Sequence, residues 1–155
     1  VRKSLSAAGG VLTVCLLTAV ALPAGAGADP VPQTGPIFNS PVGGTAKRDA
    51  ISARIARLVA GTPKGGQIAI AMYHFSSLDT ASQLVAAAKR HVSVQVVLDD
   101  ESRSYAAYRR LKRGLGGDTK KPSWVVVCDR GRGCIGPEFN HNKFFLFSST
   151  GGAQN

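Results

Sequence analysis

Two apolar runs, residues 67–73 and 92–98, flank a stretch in which Ala81, Leu84, Val85 and Ala88 recur at helical spacing. Each run is apolar at nearly every position, which suits a strand covered on both faces inside a parallel sheet. Thr80-x-x-Gln83 resembles a capping box and opens the helix between them. Two strands joined through a helix take a parallel, right-handed crossover by default. The alternation extends in both directions. Thr45 is an N-cap for a helix whose Ile51, Ile55, Leu58 and Val59 share a face, ended by Gly61, Pro63 and Gly65-Gly66. A further helix over residues 102–114 turns Tyr105, Tyr108 and Leu111 inward, and residues 123–128 read as a third strand. The expected fold is α/β, with a central mixed, mostly parallel sheet flanked by helices.

The N-terminus reads differently. Arg2 and Lys3 precede an apolar core at residues 11–22, and Ala26-Gly27-Ala28 is a small-x-small cleavage site. Residues 1–28 are therefore expected to be a secretory signal peptide, too short in its apolar part to anchor the chain stably across a bilayer. Ala24-Gly25-Ala26 allows a shifted cut, and Val14 is too bulky for lipoprotein processing at Cys15. A secreted chain starting near Asp29 would keep 17 Lys+Arg against 9 Asp+Glu, a net charge of +8. That excess favours anionic partners such as nucleic acid, lipid headgroups or cell-wall polymers, or serves only solubility. Residues 29–44 carry Pro30, Pro32, Pro36 and Pro41 and read as a surface leader, with Ile37 and Phe38 able to tack it down; the domain proper spans 45–155.

After the signal peptide two cysteines remain, Cys128 and Cys134, and export favours a disulfide between them. For so short a loop the chain-entropy contribution is about 2.4 kcal/mol. A metal site of Cys128, Cys134 and His141 is the competing reading, with three ligands and no recognised spacing.

Near the end of the chain, Phe139-Asn140-His141-Asn142-Lys143 runs into Phe144-Phe145-Leu146-Phe147. The apolar run reads as a buried strand, and residues two apart on a strand share a face, so His141 and Lys143 would point the same way. A neutral imidazole is a usable nucleophile near neutral pH, and a lysine beside it stabilises developing negative charge. Asn140 and Asn142 flank the pair as weaker substrate-binding candidates. Asp99-Asp100-Glu101 places an acidic cluster where a strand hands over to a loop; helix capping accounts for one of them. His74 reads as a rim histidine satisfied by backbone, His91 receives no role, and Arg109, Arg110, Lys112 and Arg113 form a basic patch suited to a helix C-terminus or to an anionic substrate surface.

Taken together, a buried strand ending in Tyr73-x-Phe75, a strand ending in Val97-Leu98-Asp99 and His141-x-Lys143 before an apolar strand resemble the N-terminal half of a phospholipase D superfamily protein, over roughly residues 38–155. The resemblance implies a phospholipase D-like half-domain and cofactor-free, metal-independent cleavage of phosphodiesters through a phosphohistidine. His141 would be the nucleophile and Lys143 the phosphate clamp. Counted from Lys143, the family's Asp falls on Ser148, and the family's Gly-Ser-x-x-Asn does not occur before Asn155. In the family a second His-x-Lys protonates the leaving alcohol, so the isolated polypeptide is expected to be inactive. The expected explanation is a fragment of a secreted, lipid-degrading enzyme that acts on phospholipid headgroups. The alternatives are a nuclease subunit that completes its site as a homodimer, or a non-catalytic basic module on anionic polymers.

Overall fold

The structure is a computed structural model and describes residues 31–154. The expected signal peptide and the first two leader residues lie outside that range. Four strands form one sheet in the order β3-β2-β1-β4: β1 (Gln67–Met72), β2 (Ser93–Leu98), β3 (Trp124–Val127) and β4 (Lys143–Phe147). β1 pairs with β2, and β2 with β3, in parallel, while β4 runs antiparallel on the outer side of β1. A two-stranded ribbon of β5 (Ser149–Thr150) and β6 (Ala153–Gln154) follows. The fold is α/β with a mixed, mostly parallel sheet, as the alternation of apolar runs and amphipathic segments indicated.

The helices depart from the expected boundaries in three places. Thr45 opens a short α1 (Thr45–Arg48) that breaks at Asp49, and the main helix α2 is Ala50–Gly61; Gly44, with no side-chain bond to offer, holds the cap position assigned to Thr45. α3 (Leu78–Lys89) begins ahead of the expected capping box. Its N-cap is Ser77, whose Oγ accepts from the Thr80 amide at 3.2 Å, so Thr80 is the third helical residue and not the cap. The segment expected as one helix from Ser102 divides into a 3-10 turn (Asp100–Ser104) and α4 (Ala106–Leu115). The division follows from Ser102, which is fully buried: its hydroxyl donates to the Tyr73 carbonyl at 2.8 Å and accepts from the Phe75 amide at 3.2 Å. Fastening Ser102 to the end of β1 fixes the turn before α4 can start.

Because β1, β2 and β3 advance in one direction through crossovers of the same hand, α3 and α4 fall on the same face of the sheet. α2 packs beside α3. Ile68, Ile70, Val94, Val96, Leu98 and Val125 point into this layer against Leu84, Val85 and Leu111, and all are buried. Each such side chain stabilises the fold by about 1.5–3 kcal/mol through removal from water.

The opposite face has no helical layer among the described residues. Ala69, Ala71, Val97, Trp124 and Val126 are half-buried there, and Phe144 and Leu146 are exposed. This corrects the reading of residues 143–147 as a buried strand: β4 is an edge strand whose Phe145 and Phe147 pack on the core while the alternate residues face outward. Polar contacts tie the leader to α2. Asn39 Oδ1 accepts from the Ile51 amide at 3.0 Å and Arg54 reaches the Gln33 carbonyl, while Phe38 is 77% exposed.

Candidate functional site

The C-terminal ends of β1 and β2 open onto a common rim. In register, Met72 lies opposite Leu98, so the residues that follow each strand emerge side by side. Tyr73 and His74 leave β1, and Asp99, Asp100 and Glu101 leave β2. This is the crevice position at which parallel α/β sheets gather ligands. The third contributor arrives from the opposite direction. Phe139 to Asn142 approach as coil and join β4, with the Asn142 carbonyl accepting from the Tyr73 amide at 2.8 Å.

Asp99 joins these segments. Its carboxylate is only 4% exposed, yet it has two backbone partners: Oδ1 accepts from the Glu101 amide at 3.2 Å and Oδ2 from the Asn140 amide at 2.8 Å. One side chain therefore caps the turn after β2 and fixes the loop that carries His141. Asn140 is buried as well, and its Oδ1 receives Asn142 Nδ2 at 2.7 Å. The two asparagines proposed as substrate contacts are thus engaged with each other and with Asp99. Their observed part is to shape the loop, although Asn140 Nδ2 has no protein partner.

His141 and Lys143 converge, but not as two residues of one strand. His141 precedes β4, which starts at Lys143. Lys143 Nζ donates to the His141 carbonyl at 2.9 Å and sits 5.2 Å from the centre of the Tyr73 ring. The His141 imidazole meets the same ring at 5.0 Å in a T-shaped contact, and the Phe139 ring at 5.4 Å. Both residues are exposed, so the imidazole and the ammonium, with its remaining donors, are open to a ligand.

Tyr73 is the hub of this cluster, and inspection of the sequence did not single it out as one. His74 stacks on the Tyr73 ring at a centroid distance of 4.1 Å, and Tyr73 Oη donates to Glu101 Oε1 at 3.2 Å. Glu101 in turn binds His74 Nε2 through its other oxygen, Oε2. The rim histidine is therefore held by a carboxylate, where a backbone partner was expected. The available signal was topological: His74 and Glu101 each follow the end of one of two adjacent parallel strands. Partial burial, reinforced by the hydrogen bond to Glu101 and by the negative charge of Glu101 and Asp99, raises the Tyr73 phenol above its ordinary pKa. Substituting Glu101→Gln removes the lesser contributions and leaves burial, so the phenol should titrate lower than in the wild type while staying above its ordinary value. Carbon NMR of ring-labelled tyrosine measures this; an unmoved Tyr73 would contradict the contact.

Ser148, at the position of the missing carboxylate, lies away from the cluster. Its Oγ accepts from the Gln67 amide at 2.8 Å and its amide donates to the Gln67 carbonyl at 3.0 Å, at the opposite end of β1. Five strand residues intervene, roughly 16 Å. The hydroxyl therefore cannot orient His141.

A crevice of about 230 Å³ opens beside the cluster, lined by Tyr73, Asp99, Glu101, Arg132 and Phe139 among others. Its outer wall is the loop closed by the Cys128–Cys134 disulfide, with Cα atoms 4.7 Å apart. With both sulfurs bonded to each other, the alternative metal set of Cys128, Cys134 and His141 loses two of its three ligands. The loop carries Ile135, 98% exposed, toward Phe139, 55% exposed. No helix of the described residues is long and apolar enough to cross a membrane.

Comparison with family models, with curated proteins and with solved structures returned no match to this chain.

Proposed function

We propose that this chain is a secreted phosphodiesterase of the phospholipase D type that acts on phospholipid headgroups. The observation that carries the reading is the convergence of the His141 imidazole and the Lys143 ammonium on one exposed rim, both against the Tyr73 ring. A phosphate seated there meets a nucleophilic nitrogen and a fixed cation together. His141 attacks phosphorus, the bond to the leaving oxygen breaks, and a phosphohistidine forms; water then releases the phosphate monoester. Lys143 holds the non-bridging oxygens, whose charge grows in the transition state.

Exposed apolar side chains support lipid over nucleic acid. Ile135, Phe139, Phe144 and Leu146 lie on the loop and edge strand that border the cluster. Such residues suit insertion among acyl chains, whereas a nucleic-acid groove would present cations along a backbone path. Substituting Lys143→Met should lower kcat for phosphatidylcholine vesicles by roughly a hundredfold with little change in stability. Wild-type cleavage of single-stranded DNA in preference to the vesicles would overturn the lipid reading, and full activity of the variant would overturn the clamp.

A further inference from the structure

Resting on the phosphodiesterase reading above, we propose that His74, held by Glu101, is the acid that protonates the leaving alcohol, supplied by the same chain that carries His141.

A single His-x-Lys motif leaves the leaving oxygen without a proton donor, and proteins with two motifs take it from the second. Here a second imidazole is already on the rim. His74 stacks on Tyr73 at 4.1 Å with the planes 14° apart, and His141 contacts the same Tyr73 ring at 5.0 Å. An in-line path from attacking nitrogen through phosphorus to leaving oxygen and its donor spans roughly 8 Å, and the two centroid distances laid end to end keep the imidazoles within about 9 Å of each other, the scale of one phosphodiester. Glu101 accepts from His74 Nε2 and holds the ring in place, leaving Nδ1 as the nitrogen that can face a ligand. The same carboxylate receives the Tyr73 hydroxyl, which locks His74 and Tyr73 to one support. His74 is 45% exposed at its side chain, leaving ring surface open to a ligand. The groups that face it are Tyr73, Glu101 and Tyr105, the last with ring centroids 6.0 Å away, and beyond Tyr73 stand Asp99, His141 and Lys143.

The step balances. Neutral His141 gives its nitrogen lone pair to phosphorus, the phosphorus–oxygen bond breaks, and the departing alkoxide takes the proton of the His74 imidazolium. Neutral His74 then removes a proton from the water that attacks the phosphohistidine. The phosphate monoester leaves, His141 recovers its lone pair, and His74 is again protonated.

Dependence on the leaving group tests this. Wild type, His74→Gln, Glu101→Gln and His141→Ala would be assayed on phosphatidylcholine vesicles, whose leaving alkoxide needs a proton, and on bis(p-nitrophenyl) phosphate, whose phenolate does not. His74→Gln should lose about a hundredfold or more on the lipid, but no more than about threefold in the first-turnover release of p-nitrophenolate from the aryl ester, the step that needs no acid. Glu101→Gln should follow the same pattern with a smaller loss, because His74 loses the carboxylate that holds it. Equal losses of His74→Gln in lipid cleavage and in first-turnover p-nitrophenolate release, or none in either, would overturn the assignment while leaving the His141 reading intact. Failure of the wild type to cleave either substrate, or cleavage that survives His141→Ala, would overturn the phosphodiesterase reading and this assignment with it.

Discussion

Replacing His141 by alanine should abolish phosphodiester cleavage, by at least about a thousandfold, while leaving the thermal transition within roughly 0.5 kcal/mol of wild type. The two halves of that expectation have separate origins. His141 is exposed, and its ring contacts with Tyr73 and Phe139 lie at the rim, outside the hydrophobic core. Removing it opens no cavity and strands no buried partner, so the fold has little to lose. Chemistry has everything to lose, because no other side chain can form the same intermediate from that position. Lys143 would remain over Tyr73 and still bind phosphate. The variant should therefore keep affinity for a non-hydrolysable phosphonate while turnover disappears. A variant that both unfolds and loses activity would assign His141 a structural role.

The second large effect lies in the support beneath the site. Asp99→Ala should cost about 3 kcal/mol of folding stability and loosen the His141 loop. Asp99 is almost wholly buried, and its two oxygens are the acceptors for the Glu101 and Asn140 amides. A methyl group in its place leaves both amides unsatisfied next to the end of β2, each a charge-assisted bond lost. Glu101 then has less to hold it beneath His74 and Tyr73, and the loop before β4 loses its tether to the sheet. The expected signature is a lower denaturation midpoint together with faster hydrogen exchange at Asn140. Asp99→Asn should fall between, since its carbonyl oxygen can serve one amide but its NH2 faces the other. Unchanged exchange at Asn140 in the alanine variant would show that the loop is held by its other contacts, such as the bond from the Tyr73 amide to Asn142.

How far the chain could be read before its structure was known depended on whether the signal was local. The cores of β1, β2 and β3 and the inward faces of α3 and α4 were legible, because apolar spacing is written into adjacent residues. The edge position of β4 was not. Phe144 to Phe147 carry the composition of a buried strand, and only the strand order and the one-sided helical layer expose Phe144 and Leu146. Helix starts misled for a related reason: Ser77 and Thr80 are both good caps, and the choice fell to Ser77, whose hydroxyl accepts from the Thr80 amide at 3.2 Å. At the site, His141 and Lys143 stood out by their spacing, and both side chains lie against the Tyr73 ring, although His141 precedes β4. Tyr73, His74 and Glu101 did not stand out, since the contact of His74 with Glu101 joins residues 27 apart. It becomes visible only once β1 and β2 are known to be neighbours in parallel register. Ser148, the position reached by counting on from Lys143, lies at the far end of β4 from His141, against Gln67.

The central claim is that His141 carries the phosphoryl group, and a covalent trap tests it most directly. Wild-type protein mixed with bis(p-nitrophenyl) phosphate, quenched in alkali to preserve phosphoramidate bonds and digested, should yield the peptide containing His141 with one p-nitrophenyl phosphoryl group attached to the imidazole. The adduct should form and decay at rates consistent with steady-state turnover. Turnover with no adduct on His141, or an adduct on another residue that forms at the turnover rate, would contradict the account.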